Sequence, residues 1–319
     1  MLKITSLPVS AMGLSFALFT CSCGDHSGNG NAVDNGTTVA KTKLADTLPA
    51  TEIYLLDIQK KENKFSLAEN VKPINISNNK GYDNQPVFIE EINSIAYVSS
   101  RNYKPTDIYL YDIKTANSKQ FTSSEGIAEY SPKITPDGKY ISVVKDTEQN
   151  LTRISLDGLV TEKLYKSNDS IGYYCWLDSD EIAAYVLTKP VTLKLINIKN
   201  KTEQPLTDSM GRSLFKFDSG VVVSRKLHNG NQVTFVDRKG ICKPLILFPL
   251  GDSTEDFYVT EDGWLFSSDS SSIIYCNIKE LSKGWQELGN LKKYGISKIY
   301  RISVNRALNK IAFVTDEKK

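Results

Sequence analysis

Short runs of β-branched and aromatic residues alternate with polar turns along most of the chain, which predicts a protein built from strands. One run occurs twice in nearly the same letters, as TEIYLLDI at 51–58 and TDIYLYDI at 106–113. Weaker copies follow at 153–158, 193–198, 233–238 and 273–278. An acid or amide marks the later copies, at Asp112, Asp157, Asn197, Asp237 and Asn277. These residues are 45, 40, 40 and 40 positions apart. That period is typical of an all-β propeller with one blade per repeat.

Aligning the copies divides the middle of the chain into five whole blades of four strands. They cover 82–126, 127–172, 173–213, 214–256 and 257–298. Turn sequences such as TPDG at 135–138 and TEDG at 260–263 follow the innermost strand of a blade. Asp-Gly favours such hairpins because both residues tolerate positive φ.

The two ends of the repeat region predict how the propeller closes. Residues 302–315 match the first two strands of the second blade, and the matching third strand is TEIYLLDI at 51–58. The fourth strand is expected to end at PINIS, 73–77. We therefore expect a sixth blade shared by both ends of the domain, which leaves no open sheet edge. Seven blades remain the alternative if residues 59–81 hide further strands.

The N-terminus predicts export and lipid attachment. Lys3 is followed by an uncharged stretch that ends in Ser22-Cys23-Gly24. A small residue before cysteine is typical of the bacterial lipoprotein signal, so we expect a signal peptide over 1–22 and a lipid on Cys23, with Cys21 as the alternative. A plain signal peptide and an uncleaved anchor stay open. Residues 23–50 are rich in Gly, Asn and Thr and predict a flexible tether to a propeller over 51–319.

Composition narrows the classes of partner. The 319 residues carry a formal net charge of +2, which argues against a nucleic-acid binder. Beyond the signal, Cys175, Cys242 and Cys276 lie in or beside apolar runs and are expected to be small buried residues. An export signal implies an oxidising compartment, so a Cys242–Cys276 bridge stays open.

Familiar catalytic and metal-binding motifs are absent from the sequence. There are two histidines: His26 in the expected tether, and His228, which precedes Asn-Gly in an expected hairpin tip. No complete G-x-S-x-G occurs, and neither a zinc-type cysteine pair beyond the signal region nor a phosphate loop is found. We therefore expect no catalytic residues, no cofactor and no metal.

The innermost strands of a propeller line its central channel, so polar residues at their starts are candidates for a binding site. These channel-mouth candidates are Asp83, Glu129, Tyr130, Tyr173, Trp176, Arg212, Glu255, Asp256 and Arg301. A mixed rim of mutually neutralising charges, a ligand-binding rim and carboxylate chemistry all fit this set. Paired carboxylates across a sugar would serve a glycosidase if they lay about 5–9.5 Å apart.

The run EYSPKITPDGKYISVV at 129–144 resembles the repeat of TolB-like propellers, and DIYLYDIKTANSKQFT at 107–122 resembles the rest of that repeat. This resemblance implies a six-bladed propeller in the cell envelope, similar to TolB-like lipoproteins of unassigned activity. TolB docks onto a peptidoglycan-associated lipoprotein, but no motif carries that partner over to this chain.

The sequence as a whole predicts a monomeric, non-catalytic lipoprotein that binds or scaffolds an envelope protein. Its lipid is expected in the outer membrane with the propeller facing the periplasm, because Gly24 and not an acid follows Cys23. The alternatives are a ligand- or glycan-binding protein and a carboxylate-dependent enzyme acting on a sugar or lactone.

Overall fold

A computed structural model describes residues 48–102, 104–145, 150–228, 230–249 and 256–317. Six antiparallel sheets, each with a path of four strands, are arranged as a six-bladed β-propeller, which confirms the predicted fold class. The expected signal peptide and nearly all of the expected tether lie outside the described residues. Within the described ranges, no helix is long and apolar enough to cross a bilayer.

Five blades are contiguous in sequence, and each runs from its innermost to its outermost strand in chain order. Blade 1 contains β4 (Asp83–Ile89), β5 (Ser94–Ser99), β6 (Asp107–Asp112) and β7 (Asn117–Gln120). Blade 2 contains β8 (Glu129–Ile134), β9 (Tyr140–Lys145), β10 (Asn150–Ser155) and β11 (Thr161–Lys166). Blade 3 contains β12 (Ile171–Trp176), β13 (Glu181–Val186), β14 (Thr192–Asn197) and β15 (Thr202–Asp208).

The last two contiguous blades follow the same plan. Blade 4 contains β16 (Met210–Phe217), β17 (Gly220–Leu227), β18 (Gly230–Val236) and β19 (Cys242–Leu247). Blade 5 contains β20 (Phe257–Val259), β21 (Trp264–Asp269), β22 (Ser272–Asn277) and β23 (Gln286–Asn290). Short 3₁₀ helices cover Glu90–Ile92, Ile278–Lys283 and Lys292–Tyr294.

Blade 6 joins the two ends of the domain, as predicted. Its inner strands are β24 (Arg301–Val304) and β25 (Lys310–Asp316), and β25 pairs with β1 (Thr51–Lys61). The outer position differs from the prediction. Because β1 is eleven residues long, its later half pairs with β2 (Lys64–Leu67) and its earlier half with β3 (Ile74–Asn75). Residues 59–81 thus complete the sixth blade and do not form a seventh.

Apolar side chains fill the layers between neighbouring blades. In the layer between blades 5 and 6, the Phe65 ring lies edge-on to Trp264, Phe266 and Tyr275, with centroids 4.9–5.0 Å apart. Such edge-to-face contacts add to the stabilisation from burying the rings. The short strand β2 is therefore held by packing as well as by pairing with β1.

The three cysteines that the structure describes, Cys175, Cys242 and Cys276, are free thiols. Cys175 and Cys276 are buried in the layers between blades, as expected for small apolar residues, while Cys242 is half-buried. The open Cys242–Cys276 pairing is therefore not formed. Burial raises the pKa of the Cys276 thiol to about 12, so this thiol is unreactive at neutral pH.

Candidate active site

A cavity in the central channel has a wall that includes residues from every blade. The four charged residues on this wall are Lys133, Arg212, Asp256 and Arg301. Three cations and one acid leave the cavity with a net charge of +2. The cavity volume is about 60 Å³, which holds a few water molecules or a single carboxylate. We call this space the lumen; a whole sugar ring has to bind at its mouth.

Bulges in the inner strands direct side chains into the lumen. The pairing register shifts between Asn84 and Val87 in β4, and again between Tyr130 and Lys133 in β8. At each bulge the residue before a proline has positive φ, 57° at Gln85 and 56° at Ser131. This left-handed conformation is strained for residues other than glycine and is concentrated at functional sites.

Hydrogen bonds connect these bulges around the lumen. The Ser131 amide donates to Gln85 Oε1, and Ser131 Oγ donates to the Gly172 carbonyl at 3.0 Å. Blades 1, 2 and 3 are thereby joined at the level of the strained residues. The neighbouring Lys133 and Tyr173 consequently project from a wall with a fixed backbone.

Asp256 lies at the centre of an ion-pair cluster in the opposite wall. Its carboxylate accepts hydrogen bonds from Arg212 Nε at 3.0 Å and from Ser213 Oγ at 2.7 Å, and Arg301 Nε lies 3.7 Å from Oδ2. Burial alone would raise the pKa of Asp256, but Arg212 and Arg301 hold it below the usual value. Asp256 is therefore ionised and paired with the two arginines.

Arg301 retains donors that Asp256 does not use. The 3.7 Å separation between Arg301 Nε and Asp256 Oδ2 exceeds hydrogen-bond length, and the side chain is 15% exposed. The guanidinium lies 5.3 Å from the centre of the Tyr173 ring, a cation–π contact that fixes its orientation. A guanidinium has five N–H donors in a planar fork, which suits a carboxylate. Arg301 is thus placed to bind an anion that enters the lumen.

Lys133 supplies the third positive charge from blade 2. Its Nζ lies 5.3 Å from the centre of the Phe215 ring. Burial lowers the pKa of Lys133 to about 8; Cys175 acts in the opposite direction, and the charge of Arg301 adds to the lowering. An amine with this pKa is partly neutral near physiological pH and can accept a proton.

Three tyrosines from blades 1 to 3 face the two arginines. Burial raises the pKa of Tyr82, with a further contribution from Tyr173 and a smaller one from Tyr130, while Arg301 and Arg212 act to lower it. These mutual effects require the phenol and guanidinium groups to share one site. One part of the mouth is therefore aromatic and another cationic.

The structure brings together four of the predicted mouth residues, Tyr173, Arg212, Asp256 and Arg301, and places Tyr130 beside them. Asp83 and Glu129 start the expected strands but are sealed between blades. Glu129 pairs with Lys145 at 2.9 Å and accepts a hydrogen bond from Ser124 Oγ at 2.6 Å. Trp176 donates from its indole nitrogen to Ser142 Oγ and packs between blades 2 and 3. Glu255 lies outside the described residues.

The buried carboxylate of Asp83 is expected to make folding stability depend on pH. Burial raises its pKa to about 6, although Ser99, Asn79 and Arg101 act to lower it and Glu317 adds to the rise. The unfolded value is 3.8, so the stabilisation is fully present below pH 3.8 and is lost as pH rises through about 6.

The measurement compares the free energy of unfolding of the wild type with that of Asp83→Asn between pH 4 and 7. Over this range the free energy of unfolding of the wild type should fall relative to that of the variant by at most about 3 kcal/mol, which corresponds to two pKa units. Curves that run parallel for the two proteins would show that Asp83 titrates normally in the folded state.

Sequence reasoning missed Lys133, Tyr82 and Ser303, which all belong to this site or its wall. The only available signal was the aligned repeat, in which Ser131-Pro132-Lys133 matches Gln85-Pro86-Val87. That alignment does not reveal that Gln85-Pro86 and Ser131-Pro132 each form a bulge. Lys133 therefore looks like an ordinary strand residue in the sequence.

A sequence model of the oligogalacturonate lyase family matches residues 64–263, which is more than half of the chain. This chain belongs to that family. An oligogalacturonide lyase of Pectobacterium atrosepticum is 31% identical over 105 residues, a segment that spans 33% of this chain and 25% of that relative.

Two solved structures share the propeller fold. TolB from Acinetobacter baumannii aligns with a TM-score of 0.50 and 15% identity over 85% of this chain and 65% of its own. An oligogalacturonate lyase in complex with manganese aligns with a TM-score of 0.50 and 14% identity over 70% of this chain and 68% of its own. At this identity both comparisons support the fold alone.

Family membership overturns the expected function. The prediction of a non-catalytic binding or scaffolding module is wrong, because the matching family and the curated relative point to a propeller enzyme that acts on sugar acids. The prediction that the chain is not an enzyme is wrong for the same reason. Familiar catalytic motifs depend on His, Cys or Ser, whereas the charged groups of the lumen wall are mainly lysine and arginine.

Proposed function

We propose that this oligogalacturonate lyase family member cleaves short uronate chains by β-elimination at the mouth of the lumen. The observation that carries the proposal is the net positive lumen, in which a guanidinium with unused donors lies beside a lysine of lowered pKa. A uronate carboxylate is the charge that such a space attracts.

The reaction requires three events at one sugar. A base removes the proton from the carbon that bears the carboxylate, and the freed electron pair forms a double bond to the neighbouring carbon. The bond from that neighbouring carbon to the glycosidic oxygen breaks, and the departing oxygen takes up a proton. Removal of the first proton is favoured when cations hold the carboxylate, since negative charge accumulates there in the transition state.

Arg301 is assigned to the carboxylate and Lys133 to the proton. Arg301 is held by Tyr173 and approached by Asp256, so it binds an anion without reorganising. With its pKa lowered to about 8, roughly a tenth of Lys133 is neutral at pH 7 and able to act as the base. Arg212 keeps Asp256 ionised and paired, which prevents that carboxylate from repelling the substrate.

The residues that the structure describes do not fit the manganese of the oligogalacturonate lyase that shares the fold. Among the described residues, no group of three or more His, Cys, Asp or Glu side chains is placed to hold a metal ion. Asp256, the acid of the lumen wall, is engaged by two arginines and Ser213. His228 is exposed in the hairpin between β17 and β18. No step of the proposed reaction therefore involves a metal.

Incubation of the purified protein with oligogalacturonates of defined length tests the proposal. The expected product carries a new carbon–carbon double bond conjugated to the carboxylate, and it is detected by its ultraviolet absorbance. Neutral galactose oligomers of the same length should give no signal, since they offer no carboxylate to Arg301. New reducing ends without absorbance would identify a hydrolase, and unchanged substrate with every uronate chain tried would reject the function.

We also propose that the protein is a lipoprotein attached through Cys23 to the outer membrane and facing the periplasm. The support is the sequence: an uncharged segment that ends in Ser22-Cys23, followed by a polar stretch to about Pro49. Labelling with a radioactive fatty acid should mark the wild type and not Cys23→Ala. A label that persists in this variant and disappears in Cys21→Ala would move the site to Cys21.

A further inference from the structure

Ser303 is a buried hydroxyl in the lumen wall with unfilled hydrogen-bonding capacity. The residue is 2% exposed, and it is one of those that line the lumen. Its Oγ has no hydrogen-bond partner among the described residues. A buried polar group without a partner is destabilising, so such a position calls for a ligand or an ordered water.

Strand geometry places Ser303 beside Arg301. The two residues are separated by one position on β24, so their side chains lie on the same face, about 7 Å apart along the strand. Ile302 and Val304 lie on the opposite face, where they belong to the apolar layer between blades 5 and 6. Arg301 and Ser303 are therefore the polar face of the strand that reaches the lumen.

We infer that Arg301 and Ser303 together form a carboxylate-binding subsite in the lumen, with the Ser303 hydroxyl as the second donor. The inference rests on the proposed function for the identity of its ligand, the carboxylate of a uronate. The cavity volume of about 60 Å³ admits a carboxylate and keeps the sugar ring at the mouth. A guanidinium fork and one hydroxyl supply three donors to the roughly four lone-pair sites that a carboxylate presents.

A second buried serine provides a matched control. Ser224 in β17 is 1% exposed, and its Oγ also has no hydrogen-bond partner among the described residues, but it does not belong to the lumen wall. Replacing either serine with alanine removes an unpartnered hydroxyl, which is expected to leave the fold intact or slightly more stable. Only the change at Ser303 should affect an anion in the lumen.

Calorimetric titration with D-galacturonate measures the subsite without catalysis, because a monosaccharide has no glycosidic bond to cleave. Ser303→Ala is expected to bind galacturonate about ten- to a hundred-fold more weakly than the wild type, as for loss of a hydrogen bond to a charged group. Ser224→Ala should bind like the wild type, and galactose should bind to none of the three proteins. Thermal unfolding checks that both variants are folded.

The outcomes separate this inference from the proposed function. Weakened galacturonate binding by Ser303→Ala supports the subsite even if the wild type cleaves no uronate chain, in which case the lyase function fails alone. Equal affinity of Ser303→Ala and the wild type overturns the subsite, whether or not the wild type is an active lyase. A wild type that binds neither galacturonate nor acetate overturns it as well, since water alone would then fill the position.

Discussion

Replacing Lys133 with methionine is expected to lower kcat on oligogalacturonates by about 10²–10⁴-fold, the usual contribution of a general base. Methionine fills similar space beside the Phe215 ring but cannot accept a proton. KM should change little, because Arg301 and the mouth tyrosines remain. Initial rates measured over a range of substrate concentrations give the two constants separately.

The pH dependence of kcat tests whether Lys133 is the base. A base works in its deprotonated form, so wild-type kcat should rise as pH increases through about 8 and then level off. Any residual activity of Lys133→Met should lack this rise. Lys216→Met is the control, since Lys216 lies on β16 with its side chain exposed. If Lys133→Met keeps more than half of the wild-type kcat, another group is the base.

Removing β1 by starting the domain at residue 62 is expected to abolish cooperative folding. Ile53, Leu55, Leu56 and Ile58 are each at most 5% exposed in the folded protein. Their burial contributes about 1.5–3 kcal/mol per side chain, so the total approaches the whole stability of a typical domain. The loss would also expose the edge of β25 to other chains. Thermal unfolding followed by circular dichroism measures the effect.

A circular permutant separates the effect of losing β1 from the effect of moving the chain termini. The Glu317 amide donates to the Ala50 carbonyl at 3.2 Å, so a short linker can join these ends. New termini fit between Leu159 and Val160, which are 83% and 44% exposed in the hairpin between β10 and β11. This permutant keeps every strand pair and should melt near the wild type. A truncated domain that melts at the same temperature as the permutant would show that β1 is dispensable.

The repeat made the architecture predictable because every blade has the same strand pattern and packs against its neighbours in the same way. The shared sixth blade was visible because residues 302–315 match the first half of blade 2 and 51–58 match its third strand. The short strand β2 was not visible, since Lys64–Leu67 has a single buried residue, Phe65. Its position depends on aromatic partners about 200 residues away in the sequence.

The site was predictable only in part, for a local reason. Alternation along a strand assigns side chains to faces, but a bulge reverses the assignment from that point onward. The bulges at Gln85 and Ser131 follow the acids Asp83 and Glu129, which lie between blades, and precede Lys133, which reaches the lumen. The sequence pattern therefore placed Asp83 and Glu129 at the channel mouth and did not indicate that Lys133 reaches the lumen. The site proposed here has no short motif that a sequence alone would show, because it is a cationic lumen assembled from several blades.

The shared sixth blade also sets the order in which the protein can be completed during translation. β1 leaves the ribosome before the other strands, and the inner strands of its blade, β24 and β25, begin at Arg301, about 240 residues after β1 ends. At typical rates of synthesis this delay lasts about 10–50 s. Throughout that time the ring is not closed, and the apolar strand β1 lacks its partner β25. The export proposed above would make use of this delay, because translocation requires an unfolded polypeptide, and this propeller cannot close before its last strands have been made.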